Sequence, residues 1–199
     1  SRFVMTGLGL GLLLGVVLSM IGIYRGLVLD ALTIARAPQA DIWIVEAKSH
    51  GPFAGASRIP TDTRDAVARI YGIEAAGAVT YQTVEGNVRG SNLRLYVIGF
   101  QTGHPGGPPA ISQGRAIAQS HYELIADQST GLQISERIQL GRVNFEVVGL
   151  TSQQVNSGGD PAVYMALSDA QKLQSDLDPA ASRIQQARGA TPSSRDTVN

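Results

Sequence analysis

A long run of uncharged residues near the beginning of the chain constrains its structure more than any other feature. The run covers residues 3–24 and is bounded by Arg2 and Arg25. As an α-helix it would be about 33 Å long, close to the roughly 30 Å hydrocarbon thickness of a bilayer. The next segment, RGLVLDALTIARAP, is typical of the same helix continuing into water until Pro38 ends it. We therefore predict a transmembrane helix with an extension over residues 1–37.

The glycine-dense stretch TGLGLGLLLG, residues 6–15, raises the alternative of a nucleotide-binding loop, which its spacing excludes. A GxGxxG motif needs a third glycine where this chain has Leu12 in one frame and Leu14 in the other. No Lys-Ser or Lys-Thr pair follows, so a P-loop is excluded as well. Small residues instead recur at every fourth position, at Gly7, Gly11, Gly15 and Ser19.

Small residues at this spacing lie along one side of a helix and let a second helix approach closely in lipid. We predict that these four positions form a helix-packing surface, either against helices of the same subunit or across a dimer. The simpler alternative is that glycine is common in membrane helices without a specific contact.

A cleaved secretory signal is a second alternative for the N-terminal segment, because Ala35-Arg36-Ala37 has the A-x-A form of a cleavage site. A signal has an apolar core of about 7 to 15 residues with the cleavage site close behind it. Here the core is longer and the A-x-A lies well beyond its end. The pattern favours a retained membrane anchor.

Composition excludes several classes of function. Lys and Arg together number 16, as do Asp and Glu, so the formal net charge is zero and nothing favours nucleic acid as a partner. Because the chain has no cysteine, it can form no disulfide or thiolate metal site and has no cysteine nucleophile.

Residues able to perform catalysis or bind a metal are few. The three histidines are far apart and lack partners at a metal-ligand spacing. His121 and Glu123 imitate the HxE of zinc deaminases, but the cysteines of that motif are missing. There is no GxSxG elbow, and Ser120, His121 and Asp127 are too close in sequence to indicate a triad. We predict no catalytic residue, no metal site and no cofactor.

The remaining chain alternates short helices and strands, which predicts an α+β domain. Its first helix is expected at residues 60–72, and a later helix at 168–177 is followed by a polar one at 178–189. Strands are expected at residues 41–47, 76–84, 93–100, 137–140, 144–150 and 162–166. The segment QTGHPGGPPAISQG interrupts this order, and its glycines and prolines indicate a boundary between two subdomains.

Local signals assign ends and faces to these elements. Thr61 or Asp62 is placed to cap the first helix, and Ser168 with Gln171 has the spacing of a capping box. One face of the first helix carries the larger apolar residues, Val67, Ile70 and Tyr71. Trp43, in the middle of the first predicted strand, is expected to pack in a core.

Phe53 lies in a glycine-rich loop, where a large apolar side chain has few neighbours to pack against. Loops of this kind often carry binding residues. We therefore predict that Phe53 contacts a partner protein or lipid.

The order and spacing of four segments resemble the N-terminal half of MacB-like or FtsX-like ABC-transporter permeases. These segments are the strand DIWIVEA after the membrane helix, SRIP before the first soluble helix, YVIGF, and FEVVGL. The resemblance covers nearly the whole chain and is strongest to exporter permeases of the heterocyst glycolipid type. None of the segments is a catalytic signature.

The resemblance implies a protein of the bacterial inner membrane, with four membrane helices and a large periplasmic domain between the first two. Most of this chain would then lie in the periplasm. The implied domains are a membrane helix with a periplasmic extension over 1–37, the first part of a porter-like α/β subdomain over 38–108, an inserted β-rich subdomain over 109–166, and a truncated helical return segment over 167–199.

The resemblance also implies partners and a role. The expected partners are a cytoplasmic ABC ATPase subunit, a periplasmic adaptor of the membrane-fusion type, membrane lipid, and a second copy of the chain in a homodimer. The chain itself would be a non-enzymatic permease subunit. It would couple ATP hydrolysis by its partner to a conformational change of the periplasmic domain during export of lipid or other envelope cargo.

One position departs from the family pattern. Where members commonly have Gly-Asp before the strand that corresponds to RIQL, this chain has Ser135-Glu136. A glycine there usually permits a positive φ, so the turn geometry is uncertain while the topology is expected to be kept.

Two other classes remain open from the residues alone. A single-pass, membrane-anchored periplasmic binding or scaffold protein would explain the anchor and the soluble domain without transport. A soluble hydrolase would need a nucleophile and a base, and the sequence offers neither in a recognisable pattern.

Overall fold

The computed structural model of the chain describes residues 2–36, 40–47, 49, 59–60, 62–156 and 158–177. Phe53, Thr61 and the predicted helix at 178–189 lie outside these residues. The chain divides into two units, Ser1–Ala37 and Pro38–Asn199.

The first unit is one helix, α1, over Arg2–Arg36. Its segment Arg2–Leu29 is long and apolar enough to cross a membrane. The large apolar side chains of that segment are exposed, as expected for a helix that faces lipid on several sides. The long N-terminal helix and its continuation past Arg25 are therefore as the sequence predicts.

The second unit is built mainly from strands. Two helices accompany them, α2 at Thr63–Ala68 and α3 at Leu167–Leu177, with a short 3-10 turn at Gln128–Thr130. The strands are β1 Val79–Val88, β2 Ser91–Phe100, β3 Gln113–Gly114, β4 Glu123–Asp127, β5 Arg137–Leu140, β6 Val143–Thr151 and β7 Ala162–Ala166.

Six of the seven strands form a closed ring. Pairing runs from β6 through β4, β7, β2 and β1 to β5, and β5 pairs again with β6. The β2–β7 and β4–β6 pairs are parallel, whereas the other pairs are antiparallel. The two-residue β3 adds to the far end of β6, where Gln113 pairs with Leu150. Closure gives these strands partners on both sides and leaves little free sheet edge.

Alternate side chains point into the barrel and fill it. On β2, Leu95 and Val97 are fully buried inside, whereas Tyr96 lies on the outer face. α3 adds Ala170 and Leu173 to the interior cluster, so this helix packs on the barrel. Burial of each such Leu or Phe side chain stabilises the folded state by roughly 1.5–3 kcal/mol. The other buried members are Val84, Leu124, Ala126, Leu132, Ile138, Leu140, Phe145, Val147, Leu150, Val163 and Met165.

A second cluster covers the outer face of the same strands and is rich in aromatic rings. Tyr81 stacks on Tyr96 with ring centroids 5.7 Å apart, and Trp43 lies 6.4 Å from Tyr81. Phe100 meets Tyr164 edge to face at 6.3 Å. Burial raises the pKa of Tyr96 to about 12 and that of Tyr81 further, so these phenols are neutral packing groups. Trp43 thus lies beside the aromatic ring of Tyr81, as expected for packing.

The predicted strand at 41–47 is wrong, because this segment forms no strand in the structure. Its apolar residues do alternate in exposure. Trp43 and Val45 are half-buried, whereas Ile42 is 69% and Ile44 46% exposed. A strand needs a hydrogen-bonded neighbour, and no such pairing is made by residues 41–47.

The first soluble helix is shorter than predicted. α2 ends at Ala68, and the side chain of Asp62 makes no capping hydrogen bond. Ile70 and Tyr71 lie beyond the helix and are exposed, so the prediction that they share one helix face with Val67 is also wrong. Helices this short depend on tertiary packing, and α2 buries none of its residues here.

The capping box predicted at α3 is replaced by a different arrangement. The helix begins at Leu167, so Ser168 lies inside its first turn rather than at the cap. The hydroxyl of Ser168 donates to Ser120 O at 3.5 Å. The acidic residue of the first turn is Asp169, which suits the positive end of a helix.

Strand pairing crosses the subdomain boundary expected near residue 108. β1 and β2 precede it and β4 to β7 follow it, yet all belong to one ring. The observed strands also differ in extent from those expected, because β1 covers Val79–Val88 instead of residues 76–84. The division into 38–108 and 109–166 thus remains a proposal about the larger domain.

The turn before β5 takes the positive φ that the family glycine would allow. Ser135 has φ 68, and its N–H donates to Val147 O at 2.8 Å. Beside this turn, the Glu136 carboxylate accepts from Gln133 N and pairs with Arg89. A serine can therefore occupy this position, although side chains disfavour the left-handed region.

Replacing Ser135 with glycine should stabilise the domain. Glycine has no left-handed penalty but is more flexible when unfolded, so we expect a net gain of about 0.5–1 kcal/mol. Urea denaturation measures it. Gly131→Ala is the control in the opposite direction and should destabilise the domain. Gly131 has φ 71 and an added Cβ would meet no atom within 4 Å, so only the left-handed backbone opposes the alanine. A Ser135→Gly variant that is no more stable would contradict the strain assigned to this turn.

Candidate functional site

A shallow groove runs along one side of α1. Gly11, Gly15 and Ser19 form its floor, and its walls are the side chains of Leu8, Leu12, Val16, Met20 and Ile23. A Cβ added at Gly11 or Gly15 would meet no atom within 4 Å, so this backbone is open to a neighbour. Three of the four predicted packing residues thus line one groove, and Gly7 is not among its lining residues.

The groove can accept another helix but offers little chemistry for a cofactor. Where glycine exposes the backbone, a second helix can approach and make close van der Waals and Cα–H···O contacts. The hydroxyl of Ser19 is the one polar side chain among the lining residues. The arrangement therefore suits helix packing more than ligand recognition.

Among the described residues, three carboxylates are buried in the barrel domain, at Glu123, Asp127 and Asp169. A buried charge is costly unless it is paired and hydrogen-bonded. Each of the three has at least two polar partners, and Asp127 and Asp169 join segments distant in sequence. Buried carboxylates are frequent in catalytic and metal sites.

Glu123, at the start of β4, holds the loop that precedes it. Arg115 binds the carboxylate with two nitrogens at 3.0 and 2.6 Å, and the N–H groups of Ala118 and Gln119 donate at 2.9 and 3.0 Å. The Arg115 guanidinium and these N–H groups hold the pKa of Glu123 at about 2 although burial opposes the charge. All this bonding is internal, so Glu123 is a structural anchor.

The stability of the domain should fall in acid because of Glu123. Its folded pKa is depressed to about 2, so the stability it provides is present above the ordinary carboxyl pKa of about 4.3 and is lost as pH falls toward 2. One proton gives a slope of at most about 1.4 kcal/mol per pH unit. Urea unfolding at pH 5, 4 and 3 measures it.

Glu123→Gln should flatten that slope, whereas Glu74→Gln, at an exposed position, should leave it unchanged. The pKa of Glu136 is also lowered by Arg89, so part of the slope should persist in both variants. Equal slopes in the wild type and in Glu123→Gln would contradict the role given to Glu123.

Asp127, at the end of β4, organises two loops. Its Oδ1 accepts from the N–H and hydroxyl of Ser129 at 2.9 and 2.6 Å. Its Oδ2 accepts from Gln154 N at 2.7 Å, in the loop before β7. Asp127 is therefore engaged in forming turns and not in a catalytic triad with Ser120 and His121.

Asp169 joins α3 to the segment before β4. Its Oδ2 accepts from Tyr122 N at 2.7 Å, and its Oδ1 lies 2.7 Å from His121 Nδ1. The Asp169 side chain is 4% exposed, whereas that of His121 is 56% exposed. His121 and Asp169 are 48 positions apart, and the sequence did not predict this contact. From the sequence, Asp169 indicates only a favourable negative charge at the beginning of a helix.

The structure does not assemble a catalytic or metal-binding set from the described residues. His121 pairs with Asp169, Glu123 with Arg115, and Asp127 with Ser129 and Gln154. Within that part of the chain, no group of three or more His, Asp or Glu residues is placed to hold a metal. Phe53 lies outside the described residues, so its predicted contact stays a prediction.

A membrane-length helix followed by this barrel domain can be compared with known families. Residues 3–193 match the family described as the MacB-like periplasmic core domain. The chain belongs to this family. The match begins inside α1 and includes the whole described barrel. The family model therefore covers both the apolar helix and the domain that follows it.

Relatives of this MacB-like chain are named ABC transporter permeases. One from Mycobacterium tuberculosis is 27% identical over 175 residues, which are 86% of this chain and 49% of the relative. Another, from Mycobacterium bovis, is 24% identical over 184 residues, 92% of this chain and 52% of the relative. Both are called uncharacterized, and the chain spans about half the length of the relatives it matches.

Two solved structures are also similar to the MacB-like chain. The periplasmic region of MacB from Actinobacillus actinomycetemcomitans aligns with a TM-score of 0.45 and 15% identity, covering 60% of each chain. The extracellular domain of the noncanonic ABC-type transporter YknZ from Gram-positive bacteria aligns with a TM-score of 0.45 and 11% identity, covering 67% of this chain and 86% of that one.

Proposed function

We propose that this chain is the N-terminal part of a permease subunit in an ABC-type exporter. One observation carries the proposal: a helix able to cross a membrane leads directly into a MacB-like periplasmic core domain. The permease names of the relatives support it. On this proposal α1 anchors the subunit in the bacterial inner membrane and the barrel domain lies in the periplasm.

The proposed mechanism is mechanical coupling. A cytoplasmic ATPase subunit would bind and hydrolyse ATP, and the permease would perform no chemistry of its own. The unbroken α1 supports this role, because its 35 residues span about 52 Å and exceed the roughly 30 Å of membrane hydrocarbon. The extra turns would carry a movement of the membrane helix to the chain that follows it.

The groove on α1 would be the contact surface through which a neighbouring membrane helix transmits this movement to α1. We assign it to a neighbouring membrane helix, either of the same subunit or of a second copy in a homodimer. Its open glycine floor supports the assignment, since helices in lipid associate through close packing at small residues. Gly7 would extend the contact by one further turn.

The periplasmic part would engage the cargo and a membrane-fusion adaptor. Exposed apolar residues at Ile42, Ile44, Ile70 and Tyr71 support an unfinished porter-like subdomain around residues 38–108. Chain beyond residue 199 would supply its remaining strands. Phe53 is proposed as a contact to the adaptor or to lipid, and lipid or another envelope component as the cargo.

The alternative is a single-pass, membrane-anchored periplasmic binding or scaffold protein. The gene beyond Asn199 separates the two functions. Three further hydrophobic segments, with an ATPase encoded alongside, support the permease. A stop codon soon after Asn199 would overturn it and favour the scaffold.

A further inference from the structure

Tyr122 combines two features that rarely occur together in a large aromatic residue. Its φ of 67 lies in the left-handed region, which side chains other than glycine disfavour. Its side chain is also largely solvent-accessible, because the residue is 51% exposed. Strained residues of this kind persist only where their surroundings hold them in place.

Several contacts hold Tyr122, and they come from different elements. Its N–H donates to Asp169 Oδ2 at 2.7 Å, and its carbonyl accepts from Glu146 N at 2.8 Å. Its ring lies 5.7 Å from that of His121 and 6.4 Å from that of Phe145. His121 is held by the other oxygen of the same aspartate.

The critical support belongs to α3. Asp169 is in the first turn of this helix, and the next residue, Ala170, is buried in the barrel cluster with Leu173. Gln82 on β1 donates to Ala170 O at 2.8 Å. α3 therefore packs on the barrel and also carries Asp169, the hydrogen-bond acceptor that keeps Tyr122 in its strained conformation.

Two other non-glycine residues with positive φ, Arg89 and Ser135, are held differently. Arg89 lies in the tight turn between β1 and β2, and the N–H of Ser135 donates to β6 beside it in the barrel. Their conformations follow from strand pairing. That of Tyr122 depends in addition on a helix about 47 residues later in the chain.

We infer that the position of α3 controls how the exposed His121–Tyr122 pair is presented. Displacement of α3 removes Asp169 from Tyr122 N and His121 Nδ1. Tyr122 then relaxes from its left-handed conformation, and both rings change orientation at the surface. The device links α3 to the surface that carries His121 and Tyr122, and it does not depend on the proposed export function.

Amide hydrogen exchange of the full chain in nanodiscs tests this link. Leu173→Ala loosens α3, and the control Leu132→Ala removes an equally buried leucine of the same cluster outside α3. Leu173→Ala should accelerate exchange at Tyr122 and Glu146 about tenfold or more beyond the control, since local opening follows lost local contacts. Equal acceleration in both variants, or none in either, overturns the inference.

A second comparison isolates the strain. Asp169→Ala should accelerate exchange at Glu146 about tenfold to a hundredfold, as expected for a lost hydrogen bond to a charged group. In a Tyr122→Gly background the acceleration should be several-fold smaller, because glycine stays in the left-handed region without Asp169. Acceleration that is equal or larger in that background means that Asp169 merely supplies a hydrogen bond, and the inference fails.

Discussion

Replacing Gly11 and Gly15 together with leucine should strongly impair assembly and export by the full-length protein. Two leucines would fill the floor of the α1 groove, where the backbone is open. We expect each substitution to weaken helix association by about tenfold, or ~1.4 kcal/mol, because close packing is the main attraction between helices in lipid. Blue-native electrophoresis of solubilised membranes and a cargo-export assay measure the loss.

Gly9→Leu is the matched control. Gly9 lies two residues from Gly7 and Gly11, which places it on the opposite side of the helix, and it also has no atom within 4 Å of an added Cβ. This variant should assemble and export normally. Normal export by the double variant at normal expression would contradict the packing role of the groove.

Replacing Gly99 with valine should destabilise the barrel domain by about 3 kcal/mol, near the upper end for overpacking. Gly99 lies on β2 under α3, where an added Cβ would overlap Ala170 Cβ and come within 2.7 Å of Thr80 Cγ2. Both neighbours belong to packed elements, so α3 must shift. Denaturant unfolding of the purified chain gives the change in free energy.

The double variant with Ala170→Gly tests the mechanism of that loss. Glycine in a helix costs about 1 kcal/mol on its own. It should nevertheless restore part of the stability of Gly99→Val, because it removes the Cβ that overlaps. Strictly additive losses would show that α3 is not the element displaced.

Elements with strong local patterns could be predicted from the sequence. The uncharged run indicated α1 because one physical requirement, an apolar length that spans a bilayer, decides it. β5 at Arg137–Leu140 and β7 at Ala162–Ala166 were predicted with the bounds observed. The glycine that family members commonly have at the position of Ser135 indicated a turn with positive φ, and Ser135 adopts that φ.

Features that depend on distant partners could not be predicted. Closure of the barrel needs β1 to meet β5 at only two residue pairs, and no local pattern specifies that register. The segment at 41–47 has the compact apolar run of a strand, but such a run does not supply a hydrogen-bonded neighbour. The left-handed Tyr122 has no glycine or turn signal, because its conformation is held by Asp169 from another element.

On the proposed mechanism, ATP hydrolysis in a partner ATPase moves the barrel domain. The full-length protein should be purified with the ATPase encoded beside it and reconstituted in nanodiscs. Amide exchange of residues 79–177 should then be compared without nucleotide and with ATP bound to a hydrolysis-deficient ATPase. We expect a stable complex and ATP-dependent changes in amide exchange within the barrel domain. Failure of any ATPase to copurify, or identical exchange in both states, would contradict the proposed mechanism.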